Sequence, residues 1–291
     1  MSAPTSLWWT SSDGGRLHAL DWPGARGMTP IVGLPGLNRT ARDHALLAGW
    51  IDGDRRIIGV DLRGRGASEI DPDPHRYAMS TYVEDVDRML DAAGVDRAIL
   101  IGGSNGGVLA ALYAAAHPDR VAGLLFNDVA HLFNPAAFAK VRAYLRDDPR
   151  WPDWATAREA MIDRYGNVHP GYDRADWDAF ARRTLRQDAD GSIVPDVDPR
   201  ILIPLERPDD RPAFDLLPVY RASAHIPSLL LHGTLSEFLS DDTADAFAAE
   251  LPLLERVEVP GVGHLPDLSE PESVAAIRRL LARVDAREAA A

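Results

Sequence analysis

Short apolar runs alternate with longer stretches of helical period along most of this chain. The runs lie at residues 30–34, 56–60, 98–102, 121–127, 228–231 and 256–259. Several are apolar on both faces, the pattern of parallel strands buried between two layers. Helical spacing of apolar positions appears at 42–50, 79–93, 105–116, 242–251 and 272–284, with an N-cap available in Ser80-Thr81-Tyr82-Val83-Glu84. Near the N-terminus, 7–10 and 16–22 flank Ser11-Ser12-Asp13-Gly14-Gly15 and predict a hairpin. Strands separated by helices predict an α/β fold whose mostly parallel sheet is covered by helices.

From 131 to 221 the alternation stops. This stretch is helical in flavour and carries Trp151, Trp154, Trp177, Tyr144, Tyr165 and Tyr172. It breaks up at 194–199, and Pro204, Pro208, Pro212 and Pro218 follow. A long insertion between two sheet strands predicts a lid, with a surface decoration as the plainer alternative. The expected division is a core of residues 1–130 and 222–291 and a helical cap of residues 131–221. The alanine-rich end, 287–291, is expected to fray.

Composition narrows the partners. The 291 residues are 46% hydrophobic and 26% charged, enough to bury a sizeable core. A net charge of −13 argues against nucleic acid or an anionic membrane surface, both of which need a basic face. Cysteine is absent from the sequence, which excludes disulfides, thiolate catalysis and cysteine-bound metal. No apolar run approaches the roughly 18 residues of a membrane helix. The first residues lack a basic segment followed by a long apolar one, so the cytoplasm is the expected compartment. The expected partner is a small molecule, with a monomer or homodimer as the assembly.

Chemistry concentrates at Ser104, in Ile-Gly-Gly-Ser-Asn-Gly-Gly (101–107), between an apolar run and an alanine-rich helix. A turn this sharp brings the backbone close to residues two positions away, where Gly102 and Gly106 supply the room a Cβ would take. The hydroxyl is then presented at a strand tip, before a helix N-terminus that favours negative charge. Ser104 is the candidate nucleophile. Its candidate base is His264, in the glycine-rich loop 259–266 after the last run. His131, at the start of the insertion, either faces the pocket or plays a structural part. No H-x-H or H-E-x-x-H pairing points to a metal, and neither G-x-G-x-x-G nor G-x-x-x-x-G-K-[ST] occurs, so no cofactor is expected.

Three segments together resemble the α/β-hydrolase fold family over nearly the whole chain. Gly102-Gly103-Ser104-Asn105-Gly106 matches its G-x-S-x-G elbow. Asp61-Leu62-Arg63-Gly64-Arg65-Gly66-Ala67-Ser68 matches its D-x-R-G-x-G-x-S segment, and Gly261-Val262-Gly263-His264 its histidine loop. The resemblance implies an eight-stranded, mostly parallel sheet with the cap inserted after strand 6. It also implies an oxyanion hole made by the backbone N–H groups of Leu37 and Asn105. Two departures stand out. Pro35 occupies the place of the usual histidine in the H-G-x-x-G loop, although backbone donors survive that change. Asn38 and Arg39, just beyond, either line the substrate pocket or cap the following helix. The usual acid position, in G-x-x-D after the strand 228–231, is Ser236. Glu237 stands one residue further on. Asp128, at the tip of the strand beside the nucleophile strand, is where some branches, including certain haloalkane dehalogenases and an amide hydrolase of vitamin B6 breakdown, carry the acid. Asp128 is preferred because a strand tip holds an orienting group more firmly than a loop does.

These residues predict a serine hydrolase of an ester, lactone or amide whose acyl portion is small to medium and partly apolar. A serine at the nucleophile position counts against epoxide hydrolase or dehalogenase chemistry, which relies on aspartate there. Alternatives on the same fold are a C–C bond hydrolase of aromatic ring-cleavage products, a cofactor-free lyase or oxygenase, and a ligand receptor. Cap arginines Arg182, Arg183 and Arg186 either meet a substrate carboxylate or form a solvated helix face.

Overall fold

The structure, a computed structural model, describes residues 3–132, 134–205 and 216–290. Its main sheet contains β1 (Thr5–Thr10), β2 (Arg16–Trp22), β3 (Ile31–Leu34), β4 (Ile57–Asp61), β5 (Ala98–Gly103) and β6 (Val121–Asn127). The chain then leaves the sheet, forming the short strands β7 (Leu185–Gln187) and β8 (Ile193–Pro195), and returns for β9 (Ser228–Gly233) and β10 (Leu254–Val259). The eight strands of the main sheet lie in the order β1-β2-β4-β3-β5-β6-β9-β10; β2 is antiparallel to both of its neighbours, β1 and β4, and the remaining pairs are parallel. The expected hairpin and all six apolar runs are in it.

Alternation along the strands sends side chains to two apolar layers. Ile31, Ile57, Ile99, Ile101, Leu229 and Leu231 face helices α1 (Ala45–Ile51) and, at the chain's end, a long C-terminal helix (Pro271–Glu288). Their sequence neighbours Val32, Ile58, Leu100 and Leu230 face α2 (Met79–Ala92) and α3 (Asn105–Ala116) on the other side. Each such side chain, removed from water, contributes roughly 1.5–3 kcal/mol, so a one-residue slip of any central strand would reverse a large term.

Between β6 and β9 lie α4 (Pro135–Arg146), α5 (Trp154–Tyr165), α6 (Arg174–Thr184) and α7 (Leu217–Ala222). Side-chain caps begin the first three, Asn134 for α4, Asp153 for α5 and Asp173 for α6, while α7 starts after Leu216 without one. The segment is not purely helical: β7 and β8 pair antiparallel, and Trp151 bridges Ile193. Val194 and Pro195, read from the sequence as a break, are a buried strand edge because Gly191 supplies the positive φ of the preceding turn. Pro208 and Pro212 lie outside the described residues. After β9 come α8 (Asp241–Glu250) and α9, the C-terminal helix named above. The alanine-rich end is helical through Glu288 rather than frayed from 287, with Val284 buried against the sheet; Ala291 lies outside the described residues.

The insertion is clamped to the loop after β4. Arg65 bridges Val197, Gly66 N–H donates to Asp196 O (3.0 Å) and Asp198 N–H to Gly64 O (2.7 Å). Arg42 completes the clamp with an ion pair to Asp196 at 2.7 Å. Beneath it, Arg63 is buried among three carboxylates, Asp13, Asp71 and Asp85, each 2.6–2.7 Å away. This is what the D-x-R-G-x-G-x-S segment does here: it builds a rigid floor, with Asp61 accepting from the N–H groups of Ala41 (2.7 Å) and Ala67 (3.1 Å).

Candidate active site

Ser104 follows β5 directly with φ 50° and ψ −117°, a conformation an L-residue adopts only when its surroundings enforce it. Close packing enforces it here. A Cβ on Gly102 would sit 2.3 Å from Gly106 O, and one on Gly106 would sit 2.1 Å from Leu34 O. The strand can therefore turn directly into α3, and the serine side chain stands at the C-terminal edge of the sheet. Asn105, the first residue of α3, has an N–H with no intrahelical acceptor.

β6 is the neighbour of β5, in a register that pairs Gly103 with Asn127. Asp128 is thus beside Ser104 on the next strand tip, also at positive φ (53°). Its carboxylate is fully buried and saturated. It accepts from Gly233 N–H at 3.1 Å, from Ser236 Oγ–H at 2.5 Å and from the His264 ring at Nδ1, 2.7 Å away. Phe238 stacks on the His264 ring with centroids 3.9 Å apart, fixing its plane. The serine at the usual acid position has therefore become a donor to an acid on a different strand. Glu237, the alternative acid, turns outward: half its side chain is exposed and its carboxylate pairs with Lys140.

The loop after β3 carries Leu37, Asn38 and Arg39. Arg65, 1% exposed, donates from Nε to Leu37 O at 2.8 Å and from Nη1 to Arg63 O and Tyr82 OH. No sequence signal pointed to this arginine as a support for the loop, because the contact joins residues 28 positions apart. Asn38 Nδ2 donates to Tyr165 OH at 3.2 Å, and Arg39 Nη1 to Thr184 Oγ1 at 3.1 Å. Both side chains reach α5 and α6 of the insertion. Neither caps the turn that follows, which Thr40 caps instead. A cavity of about 40 Å³ opens between this loop and the insertion, lined among others by Gly36, Arg39, Gly103, His169, Arg183 and Leu265. Gly36, Gly103 and Leu265 are the immediate neighbours of Leu37, Ser104 and His264.

His131 goes elsewhere. Its ring stacks on Phe247 of α8 (5.9 Å, 22°), in the apolar cluster with Phe126 and Tyr220, and does not line this cavity. The physical reason is the turn at Asp128, which sends the chain over α8 instead of along the sheet edge. Of the three arginines singled out in the insertion, Arg182 lies over the Trp154 ring and Arg186 pairs with Asp188 and Asp196, while Arg183 lines the cavity. His169, missed in the sequence, is held between Tyr172 and Phe180; burial pushes its pKa down to about 4, with the nearby Arg39 charge adding to the effect. It is neutral at pH 7. Among the described residues there is no group of three or more metal-ligating side chains, and no helix is long and apolar enough to cross a membrane.

A model of the alpha/beta hydrolase fold matches residues 29–160. A solved α/β hydrolase from Novosphingobium aromaticivorans is 38% identical, with 97% of this chain and 99% of that one covered and a TM-score of 0.91. The chain belongs to the α/β-hydrolase fold family. Among the curated hydrolases it resembles, a 3-hydroxybutyrate-oligomer hydrolase of Cupriavidus necator is 27% identical over 89% of this chain and 90% of that protein. The esterase YbfF of Escherichia coli is 27% identical over 87% of this α/β hydrolase and 93% of its own length.

Proposed function

We propose that this α/β hydrolase cleaves a carboxylic ester, lactone or amide through an acyl-enzyme on Ser104. The observation that carries the proposal is the seating of His264: its Nδ1 lies 2.7 Å from a buried carboxylate one strand away from a strained serine. Asp128 accepts from Nδ1–H, leaving Nε2 as the basic lone pair. Ser104 Oγ attacks the substrate carbonyl carbon as Nε2 takes its proton. The developing oxyanion accepts from the N–H groups of Leu37 and Asn105, worth about 10²–10³-fold for each donor. The tetrahedral intermediate expels the alcohol or amine, protonated by His264, and a water activated by the same ring then hydrolyses the acyl-enzyme. The insertion, residues 131–221, serves as the cap over the acyl group, its apolar side chains favouring a small to medium, partly apolar substrate.

The test is turnover of 4-nitrophenyl esters by the purified protein and its Ser104→Ala and His264→Ala variants. Each variant is expected to lose about 10³-fold or more in kcat. Ser104→Ala retaining most of a measurable activity would instead favour lyase or oxygenase chemistry on the histidine. Turnover of a coloured ring-fission dienoate, with esters inert, would favour C–C bond hydrolysis.

A further inference from the structure

The cavity against Gly103 and Leu265, the chain neighbours of Ser104 and His264, has two guanidiniums and a buried imidazole in its wall. Arg39 is 8% exposed, yet among the described residues only one of its five N–H groups makes a hydrogen bond, that to Thr184. Its guanidinium lies 4.5 Å over the Phe180 ring, which fixes its plane, and the carboxylate nearest it, Asp43, is 3.6 Å from Nε, beyond hydrogen-bond reach. His169, 3% exposed, also lines the cavity, and its Nδ1 has no partner among the described residues. The ring cannot swing away to find one, because it stacks on Tyr172 at 4.4 Å and meets Trp177 and Phe180 edge-on. Arg183 adds a second positive charge to the wall. Asp43 and Asp267 also line it and offset the two guanidiniums; the Asp267 carboxylate is taken by Tyr172 OH and by Ser269 N–H and Oγ–H, and Asp43, beside Arg39 Nε, has an Oδ1 without a partner among the described residues.

His169 Nδ1 is buried without a partner among the described residues, and leaving such a group unpaired costs about 1–3 kcal/mol. A group that accepts from both Arg39 and His169 removes that cost. At about 40 Å³ the cavity exceeds the 10–15 Å³ that one water needs, and it suits a group of two or three heavy atoms. We propose that it holds a carboxylate of the substrate, so that this enzyme acts on esters or amides that carry a free acid a few atoms from the scissile carbonyl. The Arg39 fork takes the carboxylate through its unused N–H groups, and neutral His169 donates Nδ1–H to it. Asn127, also on the wall, has an unpartnered Oδ1 that accepts, which suits a hydroxyl or N–H on the atom next to the carboxylate. The proposal rests on the hydrolase reading above and names its substrate class.

The test compares acid-bearing substrates with methyl-capped isosteres that differ only in that charge. Mono(4-nitrophenyl) glutarate and adipate are set against their methyl diesters, and 3-acetoxybutyrate against its methyl ester, the last pair followed by proton release. In the best-matched pair the acid is expected to exceed its capped form by about 10- to 100-fold in kcat/KM, the loss that follows from removing hydrogen bonds to a charged group. Arg39→Met is expected to collapse that ratio towards one, with Arg39→Lys keeping part of it. If Arg39→Met fails to fold, the ratios of the unmodified protein still decide. Capped substrates turning over as well as or better than acids in every pair would overturn the carboxylate site and leave the hydrolase reading standing. No turnover of any ester would overturn both.

Discussion

Replacing Asp128 by asparagine removes a charge at nearly constant shape and turns one acceptor into a donor. The residue sits at φ 53°, a conformation that asparagine tolerates as well as aspartate does, so the backbone is not strained by the change. The side chain is fully buried; Gly233 N–H donates to Oδ1 and can keep the amide oxygen, while the N–H₂ takes the place of Oδ2 and faces Ser236 Oγ, whose hydroxyl must turn to accept. What disappears is the attraction between the carboxylate and the imidazolium that forms when His264 takes the serine proton. With Nδ1 and Oδ2 2.7 Å apart and charge centres near 4 Å, that attraction is about 4 kcal/mol at an effective dielectric of 20. The asparagine N–H₂ also favours the wrong imidazole tautomer. At 1.36 kcal/mol per decade, kcat is expected to fall by about 10³- to 10⁴-fold with KM little changed. Steady-state hydrolysis of a 4-nitrophenyl ester measures it, with circular dichroism and Tm to establish that the variant is folded. Glu237→Gln, made in parallel, removes an exposed ion pair with Lys140, a contact in the range of about 0–1 kcal/mol, and is expected to leave kcat within about twofold. A folded Asp128→Asn enzyme within tenfold of the parent, or a larger loss in Glu237→Gln, would refute the assignment of the acid.

Other expectations follow from the same geometry. Gly106→Ala would place a methyl 2.1 Å from Leu34 O and 2.7 Å from Pro35 O, both backbone atoms, so α3 must shift; a loss of about 1–3 kcal/mol in denaturant unfolding is expected, and an unchanged midpoint would show that the elbow is not tightly packed. Arg65→Met strips the donor from Leu37 O in a buried loop and is expected to lower kcat by about tenfold or more with KM little changed; equal effects on both parameters, or none, would exclude a positioning part in the oxyanion loop. Arg63→Met leaves three buried carboxylates without their shared cation, and thermal unfolding should register a loss of about 3–5 kcal/mol. His169 has a folded pKa near 4 against an ordinary value of 6.5, so below pH 6.5 the unfolded chain binds the proton that the folded one refuses. Stability therefore falls as pH drops from about 6.5 to 4, and urea titrations of His169→Gln across that window should lose about 1–3 kcal/mol less than the parent.

Much of the site was legible because its signals are local. Steric crowding forces glycines around Ser104, and crowding of that kind acts within a few residues. The apolar alternation in β5, β6 and β9 likewise records burial on both faces of each strand separately. The acid was harder. Ser236 stands where the usual aspartate would be, and choosing between Asp128 and Glu237 meant knowing which carboxylate meets a ring 136 positions from the first and 27 from the second. In the fold, Glu237 turns to Lys140 in solvent while Asp128 is buried against His264. His131 illustrates the opposite case: its place after β6 suggested the pocket, yet the positive φ at Asp128 directs it onto Phe247.

The amino-acid sequence by itself determined the order of strands and helices, the elbow at Ser104 and the glycine-rich loop that carries His264, since periodicity and close backbone approach leave their mark within one element. Tertiary structure alone decided which charges meet. Arg65 supports Leu37, Arg39 reaches Thr184 across 145 positions, and His169 joins Arg39 at the wall of one small cavity. Those contacts depend on how the insertion docks on the sheet edge. Docking of that kind is governed by the summed packing of both surfaces, and no short stretch of sequence records it.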